Sequence, residues 1–234
     1  MSGPVGEPVT VAAFDFDGTL TRGGSVFPFL VAVRGAAPVL GAALRTLPTL
    51  VRGGLLSGAD ADRAKEELFT RLLAGLPADR VEAVARAFAE RHLRLRLRAD
   101  ARERLDWHRK QGHRVVLVSA SPEVYVLAAA EVLGIDGAVA TRLQVGGGGL
   151  LTGRYEGKNC RGAEKYARVA GWLRATGLVG NGGLQPELWA YGNSRGDLRL
   201  LQAADHGVNT GKLGRLGRLR RFPSLSQVTS GAPS

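Results

Sequence analysis

The sequence is short of cysteine, which limits the kind of protein that it can encode. Cys160 is the single cysteine among 234 residues, so no disulfide can form within the chain. Residues 1–8 also lack a basic run followed by an apolar core, so we expect no secretory signal. Both features favour a protein of the reducing cytoplasm.

Acidic residues are also scarce relative to basic ones. The chain has 32 Lys and Arg against 21 Asp and Glu, a formal net charge of +11, and several of the cations crowd into residues 211–234. Such a charge can serve nucleic acid, anionic lipid or a phosphorylated substrate. No RNA- or DNA-binding signature accompanies it, so we expect no nucleic-acid partner and interpret most of the charge as a solvated basic surface.

Long uncharged apolar runs are absent as well. The most apolar stretch, residues 27–56, is broken up by Gly and Pro and interrupted by Arg34, Arg45 and Arg52, so we expect no membrane-spanning helix. Two interpretations of this stretch stay open. It can pack on its neighbours as an ordinary helix, or it can lie on a membrane surface as a peripheral contact.

What the sequence does contain is a set of short apolar runs that are typical of buried strands. They are Val9–Phe14, Arg114–Ser119 and Leu188–Tyr191. Helical patterns follow the second and third runs, over Pro122–Leu133, with Pro122 as the first helical residue, and over Asp197–Ala204. Strands that alternate with helices predict an α/β fold with a parallel sheet that is covered on both faces.

An insertion separates the first two strands, and its pattern is helical. Apolar residues recur at helical spacing over Arg80–Leu97, and Asp60–Leu73 indicates a second helix with Asp60 as a candidate cap residue. We therefore predict a small helical cap domain over residues 24–98. It would be inserted into a core that is formed by residues 9–23 and 99–210.

Two further segments complete this outline. Residues Val139–Tyr155, with glycines at 146–149 between two apolar runs, indicate a hairpin, and Gly162–Arg174 indicates a helix. Beyond Thr210 the composition turns to Gly, Arg, Ser and Pro. Residues 211–234 are therefore predicted to form a basic, flexible tail.

The strongest chemical signal is Asp15-Phe16-Asp17-Gly18-Thr19 at the end of the first strand. In an open α/β sheet, ligands bind beyond the carboxyl ends of the strands. Two carboxylates one residue apart can divide the work there. One attacks phosphorus, and the other protonates the leaving oxygen and later activates water. Gly18 lets the backbone turn tightly after the strand.

These residues resemble the first motif of the haloacid dehalogenase superfamily of phosphohydrolases, in its phosphoserine-phosphatase-like branch. The second motif is matched by the hydrophobic strand that ends in Ser119, and the third by Lys165, which opens a helix. The fourth, an acidic motif after a strand, is matched by Gly192–Asp197. The resemblance implies a Rossmann-like parallel sheet core with an inserted helical cap.

The resemblance also implies a role for each of these residues. Asp15 would be the nucleophile and a ligand of Mg²⁺. Asp17 would be the general acid and base, with its backbone carbonyl on the metal. Ser119 would hydrogen-bond a phosphoryl oxygen. Mg²⁺ suits a site that offers oxygen ligands alone, and it would offset the repulsion between carboxylate and phosphate.

The remaining assignments compete with alternatives. Lys165 best fits the cation that binds the phosphoryl group, but Lys158 and Arg161 are close enough in sequence to take that role. Asn193 and Asp197 would complete the metal site. Many relatives have Asp where this chain has Asn193, so the residue would bring the metal an oxygen but no charge.

Together these features predict a Mg²⁺-dependent phosphomonoester hydrolase that acts through an aspartyl-phosphate. The expected substrate is a small phosphorylated metabolite such as phosphoserine or histidinol phosphate. Two alternatives remain. One is a lipid phosphate phosphatase of the phosphatidylglycerophosphate type at the membrane surface, which would suit the Arg-punctuated apolar stretch. The other is a catalytically weak regulatory protein with the same fold, which Asn193 alone favours.

Overall fold

A computed structural model describes residues 9–52, 58–179, 185–211 and 217–230 of the chain. Its strands are β1 (Thr10–Phe14), β2 (Arg114–Pro122), β3 (Gly137–Thr141), β4 (Leu143–Val145), β5 (Leu151–Tyr155), β6 (Glu187–Gly192) and β7 (His206–Asn209). Five of them form a parallel sheet in the order β3-β2-β1-β6-β7, and β4 pairs with β5 as an antiparallel hairpin. The predicted α/β fold with a Rossmann-like parallel sheet is confirmed.

Helices follow β1, β2, β5, β6 and β7, and five of them lie between β1 and β2. They are α1 (Val26–Arg34), α2 (Ala36–Arg52), α3 (Gly58–Leu73), α4 (Ala78–Arg96), α5 (Ala99–Lys110), α6 (Glu123–Leu133), α7 (Ala163–Ala175), α8 (Leu198–Ala203) and α9 (Leu225–Ser230). Within the described ranges, no helix is both long and apolar enough to cross a bilayer.

Both faces of the sheet are buried, because alternate residues of a strand point to opposite sides. Ala12 and Phe14 of β1 belong to a hydrophobic cluster with residues of α1 to α6 and α9. Val11 and Ala13 belong to a second cluster, with residues of α7 and α8. Each large apolar side chain buried in this way contributes about 1.5–3 kcal/mol to folding. The sheet is therefore the rigid layer on which the rest of the chain packs.

Helices α1 to α4 lie in the interval where the cap was predicted, and the division of the chain into core and cap stays a prediction. The described part of residues 27–56 is broken by Gly35 alone, at a φ of +82°. The expectation that proline would also break it is wrong. Pro28 and Pro38 are the third residues of α1 and α2, where a backbone N–H has no partner within the helix. Pro48 lies inside α2, which continues past it to Arg52. Asp60 lies inside the first turn of α3 and is not its cap.

Two strand boundaries differ from the sequence prediction. Pro122 is the last residue of β2, opposite Thr141, and α6 begins one residue later. The proline ring fixes φ in a range that suits the end of a strand as well as the start of a helix. Residues 139–141 belong to β3 in the main sheet, so the hairpin is confined to β4 and β5. Apolar runs cannot distinguish these pairings, because both bury the same side chains.

The prediction of a flexible tail is wrong for the residues from 217 to 228. A 3₁₀ helix, Gly217–Arg221, and α9 follow β7, and Leu219 and Leu225 are buried. The N–H of Asn209 in β7 donates to the carbonyl of Pro223 at 2.8 Å, which ties this segment to the sheet edge. In the sequence these leucines stand among Gly, Arg, Ser and Pro, a composition that is typical of loosely held segments. Lys212 and Arg215 of the basic tail lie outside the described residues.

A buried polar network lies beside β6. His108 of α5 is fully buried, with Nε2 2.7 Å from the hydroxyl oxygen of Tyr191 and Nδ1 2.8 Å from Nδ1 of His113. The Arg104 guanidinium donates to the same Tyr191 oxygen at 2.7 Å and stacks 3.8 Å from the centre of the Trp107 ring. Burial, and next the charge of Arg104, lower the pKa of His108 to about 2. His108 is therefore neutral in the folded protein.

We expect His108 to make stability fall in mild acid. An unfolded histidine has a pKa of about 6.5, so below that pH the unfolded chain binds a proton that the folded chain does not. The free energy of unfolding should then fall by about 1.4 kcal/mol per pH unit from this residue. His108→Gln, which cannot take up the proton, should flatten the dependence. The measurement is urea unfolding at roughly pH 7.5, 6.5 and 5.5.

His206→Gln is the matched control, because His206 is partly exposed and pairs with Glu187. In this variant the free energy of unfolding should keep the pH dependence that His108 causes. If the free energy of unfolding fell equally steeply with pH in the wild type and in His108→Gln, His108 would be protonated in the folded protein.

Candidate active site

The carboxyl ends of three neighbouring strands meet at one edge of the sheet. Asp15 follows β1, Ser119 lies near the end of β2, and Asn193 follows β6. A pocket of about 380 Å³ opens there. It is lined by all of the predicted site residues, Asp15, Asp17, Ser119, Lys165, Asn193 and Asp197. Asp15 and Asp197 are 182 positions apart in the sequence. The parallel pairing of β1 with β2 and β6 brings the six residues together.

Lys165 lies between two carboxylates inside this pocket. It is the third residue of α7, and its side chain is 2% exposed. The ammonium group donates to Oδ1 of Asp15 at 2.6 Å and also to Oδ1 of Asp197. We call Asp15, Lys165 and Asp197 the buried triad. Of the two competing cations, Arg161 lines the pocket, whereas Lys158 is exposed and lies outside its lining.

The charges of the buried triad depend on one another. Burial, and next the charge of Asp197, raise the pKa of Asp15 to about 7, against the opposing effect of Lys165. Burial alone would lower the pKa of Lys165, but the two carboxylates outweigh it and raise that pKa above its usual range. Burial alone would raise the pKa of Asp197, but Lys165 outweighs it and lowers that pKa. Lys165 is therefore charged, because the neighbouring carboxylates stabilise its protonated form.

Asp17 is held by side chains that the sequence analysis assigned no role. Its Oδ2 accepts hydrogen bonds from Ser25 at 2.9 Å and from Ser121 at 2.5 Å. The Ser25 hydroxyl also lies 2.7 Å from that of Tyr125. Burial raises the pKa of Asp17, and its Oδ1 is buried with no hydrogen-bond partner among the described residues. The Ser-x-Ser spacing of Ser119 and Ser121 could have predicted that Ser121 also faces the site, since alternate residues of a strand share a face.

Asp197 is engaged on both carboxylate oxygens. Oδ2 accepts the N–H of Asn193 at 3.1 Å, and from Ser194 both the N–H at 2.9 Å and the hydroxyl at 2.7 Å. Oδ1 accepts Lys165. A cation bound at Asp197 would have to displace one of these donors. These four donors hold Asp197 in place, and its role as a metal ligand stays a prediction.

Asn193 lies directly against the turn that follows β1. A Cβ atom placed on Gly18 would sit 1.9 Å from Nδ2 of Asn193, and Gly18 has a φ of +78°. Both the contact and the backbone angle require glycine at this position. The turn and the Asn193 amide therefore meet at the rim of the pocket.

The oxygen atoms at this edge fit Mg²⁺. Among the described residues, no group of three or more His, Cys, Asp or Glu is arranged to hold a metal ion. Mg²⁺ does not need such a group, because it binds one or two carboxylates and keeps several waters. The Asp15 carboxylate, the Asp17 carbonyl and the Asn193 side chain provide oxygen donors of the required kind.

The inserted helices also contribute to this edge of the sheet. Lys65 of α3 donates to the carbonyl of Ala120 at 2.8 Å and to Oδ1 of Asn159 at 2.9 Å. Asn159 in turn donates to Asp62 of α3 at 2.6 Å. Burial is the main reason that the pKa of Lys65 is lowered, to about 8. Sequence reasoning missed this contact, because nothing in a helical pattern tells which residue meets a distant loop.

Comparison with known proteins gives four findings. A family model of haloacid dehalogenase-like hydrolases matches residues 12–202. Protein CicA of Caulobacter vibrioides is 33% identical over 209 residues, which cover 88% of this chain and 87% of CicA. A protein of unknown function from Bordetella pertussis Tohama I has a TM-score of 0.73 and 25% identity over 92% of this chain and 98% of its own. A substrate-bound phosphoserine phosphatase shares the fold, with a TM-score of 0.63 and 19% identity over 96% and 99% of the two chains.

The buried triad predicts a large effect of removing its cation. Lys165→Met leaves two buried carboxylates without a counter-charge, and breaking a buried ion pair in this way costs about 3–5 kcal/mol. We expect a loss of about 3 kcal/mol in the free energy of unfolding, measured by urea denaturation at neutral pH. Lys158→Met removes an exposed lysine from the same region and should change stability by less than about 0.5 kcal/mol. Similar small losses of unfolding free energy in both variants would contradict a stabilising ion pair within the buried triad.

Proposed function

The chain belongs to the haloacid dehalogenase-like hydrolases, and we propose that it is a Mg²⁺-dependent phosphatase that forms an aspartyl-phosphate on Asp15. Family membership confirms the resemblance of the sequence motifs and makes the protein a hydrolase. The observation that carries the finer proposal is the ammonium group of Lys165, 2.6 Å from the Asp15 carboxylate inside the pocket. A carboxylate beside a fixed cation suits attack on a dianionic phosphate.

Asp15 would act as the nucleophile. Its position directly after β1 gives it little freedom, since its own N–H donates to the carbonyl of Tyr191 at 2.9 Å. Lys165 favours the ionised carboxylate and would offset charge on the transferring phosphoryl group. The hydroxyl of Ser119, which accepts the N–H of Ser121 at 3.0 Å, is left to donate to a phosphoryl oxygen. These groups bind and orient the phosphate before any bond is made.

Asp17 would act as the general acid and then as the general base. Its burial favours the protonated form that an acid needs. Ser25 and Ser121 fix the orientation of the carboxyl group through Oδ2. The proton would pass to the oxygen of the leaving alcohol, and Asp17 would take a proton back from the water that hydrolyses the aspartyl-phosphate.

Mg²⁺ would be held by the Asp15 carboxylate, the Asp17 carbonyl and the Asn193 side chain. When bound, it supplies positive charge that offsets the repulsion between the Asp15 carboxylate and the phosphate. Asp197 would serve this site indirectly, by holding Lys165 and the loop that carries Asn193. One carboxylate among the ligands fits the preference of Mg²⁺ for a partly hydrated shell.

The substrate that we propose first is a small phosphorylated metabolite. A pocket of about 380 Å³ accommodates a metabolite-sized ester. Arg161 lines the pocket and also pairs with Asp62 at 3.4 Å. An ester with a second anionic group, such as the carboxylate of phosphoserine, would compete with Asp62 for this cation, whereas the cationic side chain of histidinol phosphate would gain nothing from it. A lipid phosphate is the second candidate, favoured by apolar residues that α1 and α2 expose to solvent.

The test of the reaction is hydrolysis of an aryl phosphate with and without Mg²⁺. Asp15→Asn should lower turnover at least about a thousandfold, because an amide cannot form the acyl-phosphate. The fold should be kept, as circular dichroism would report. Asp106→Asn alters an exposed carboxylate on α5 and should leave turnover unchanged. Turnover near the wild-type rate in Asp15→Asn would refute the mechanism, and an inactive wild type would favour the regulatory alternative.

Replacing Asn193 tests the proposed metal shell. Asn193→Asp adds a negative charge beside the cation, and hard divalent ions prefer charged oxygen ligands, so less Mg²⁺ should be needed. We expect the half-saturating Mg²⁺ concentration to fall several-fold. The maximal rate should be unchanged or slightly lower, because the added charge also repels phosphate. The measurement is a Mg²⁺ titration of activity at saturating substrate.

Gln202→Glu is the charge-matched control, since it adds one negative charge on the exposed side of α8. Its Mg²⁺ requirement should equal that of the wild type. A requirement that stays the same in Asn193→Asp would place residue 193 outside the metal shell.

A further inference from the structure

The first two helices expose an unusual amount of apolar side chain. Phe27 and Val31 of α1 are 53% and 38% exposed, and Leu40 and Leu44 of α2 are 62% and 61% exposed. Each pair is separated by four residues, so its members lie on one side of their helix. The two helices pack against each other and are joined at Gly35. We call these four side chains the apolar surface.

The solvent side of these helices lacks the polar residues that a surface helix normally carries. The other exposed positions between 26 and 46 hold only alanine, proline or glycine, apart from Arg34 and Arg45. The sequence has no Asp or Glu between positions 18 and 59. The opposite side of α2, at Val39, Ala42 and Thr46, is buried in the protein. The apolar surface is therefore not the packing face of its helix.

We propose that the apolar surface docks on an anionic lipid bilayer. Interfacial helices combine exposed apolar side chains with arginine and lack acidic residues, and their binding adds apolar burial to attraction for anionic lipid. A second copy of the chain fits less well. A symmetric contact would bring Arg34 and Arg45 of both copies together, and α1 and α2 carry no Asp or Glu to pair with them, between molecules that each have a net charge of +11.

One end of the apolar surface, at Phe27, lies close along the chain to residues that line the pocket. Gly23 and Gly24 line the pocket, Ser25 donates to Asp17 at 2.9 Å, and Phe27 follows two residues later. Docking would bring the rim of the pocket near the bilayer, where phosphomonoesters carried by lipids are found. The docking itself does not depend on the proposed reaction, so the two can be tested separately.

The test is co-flotation of the full chain with vesicles. The protein should bind vesicles of mixed phosphatidylcholine and phosphatidylglycerol and should bind pure phosphatidylcholine weakly. The double variant Leu40→Ser with Leu44→Ser should bind the anionic vesicles at least about tenfold less tightly. The control is Leu95→Ser with Val132→Ser, which changes two exposed apolar residues on α4 and α6 and should bind like the wild type. Circular dichroism verifies the fold of both.

Three outcomes would overturn the proposal. The first is equal vesicle binding by the wild type and the Leu40→Ser, Leu44→Ser variant. The second is vesicle binding that persists in this variant and is abolished by raised salt. That result would place the contact on the basic segment at Arg218, Arg220 and Arg221. The third is no vesicle binding together with a dimer, seen by light scattering, that the variant loses. Asp15→Asn should bind vesicles like the wild type, so a failure of the proposed reaction would leave this result unaffected.

Discussion

The ion pair of Lys165 with Asp15 and Asp197 is the interaction on which the rest of the site depends. Three charged groups are almost completely buried there, and each is tolerable only because the others are present. The buried triad joins the end of β1, the start of α7 and the loop after β6. Asp197 extends this connection, because its second oxygen organises the backbone of Asn193 and Ser194. Removing one charge would therefore disturb three segments at once.

The sheet beneath the ion pair supplies the rigidity that it needs. The ring of Phe14 stacks on that of Tyr191 with the centroids 4.2 Å apart, which packs β1 against β6 next to the two motifs. The hydroxyl of Tyr191 is held in turn by Arg104 and His108. The position of the candidate nucleophile thus rests on a polar network between α5 and β6, although Arg104, His108 and Tyr191 do not line the pocket themselves.

The helices inserted after the first motif are coupled to the same site. Ser25, at the start of α1, contacts the carboxylate of Asp17, and Lys65 of α3 contacts the backbone between Ser119 and Ser121. Any movement of these helices would change the hydrogen bonds of Asp17 and the shape of the pocket. The apolar surface lies on α1 and α2, so it shares α1 with Ser25, the residue that donates to the Asp17 carboxylate.

The sequence by itself determined the α/β class, the strands that precede Asp15 and Asn193 and the strand that carries Ser119, and six of the residues that line the pocket. Those features are local, because apolar runs and short motifs report burial and turn geometry within a few residues. Only the tertiary structure decided that Lys165 lies between two carboxylates, that Ser25 and Ser121 hold Asp17, and that Asp197 is saturated by donors. It also decided that Leu219 and Leu225 anchor the segment expected to be loose. These contacts join residues far apart in the chain, and their geometry follows from how strands and helices pack together, which no local pattern encodes.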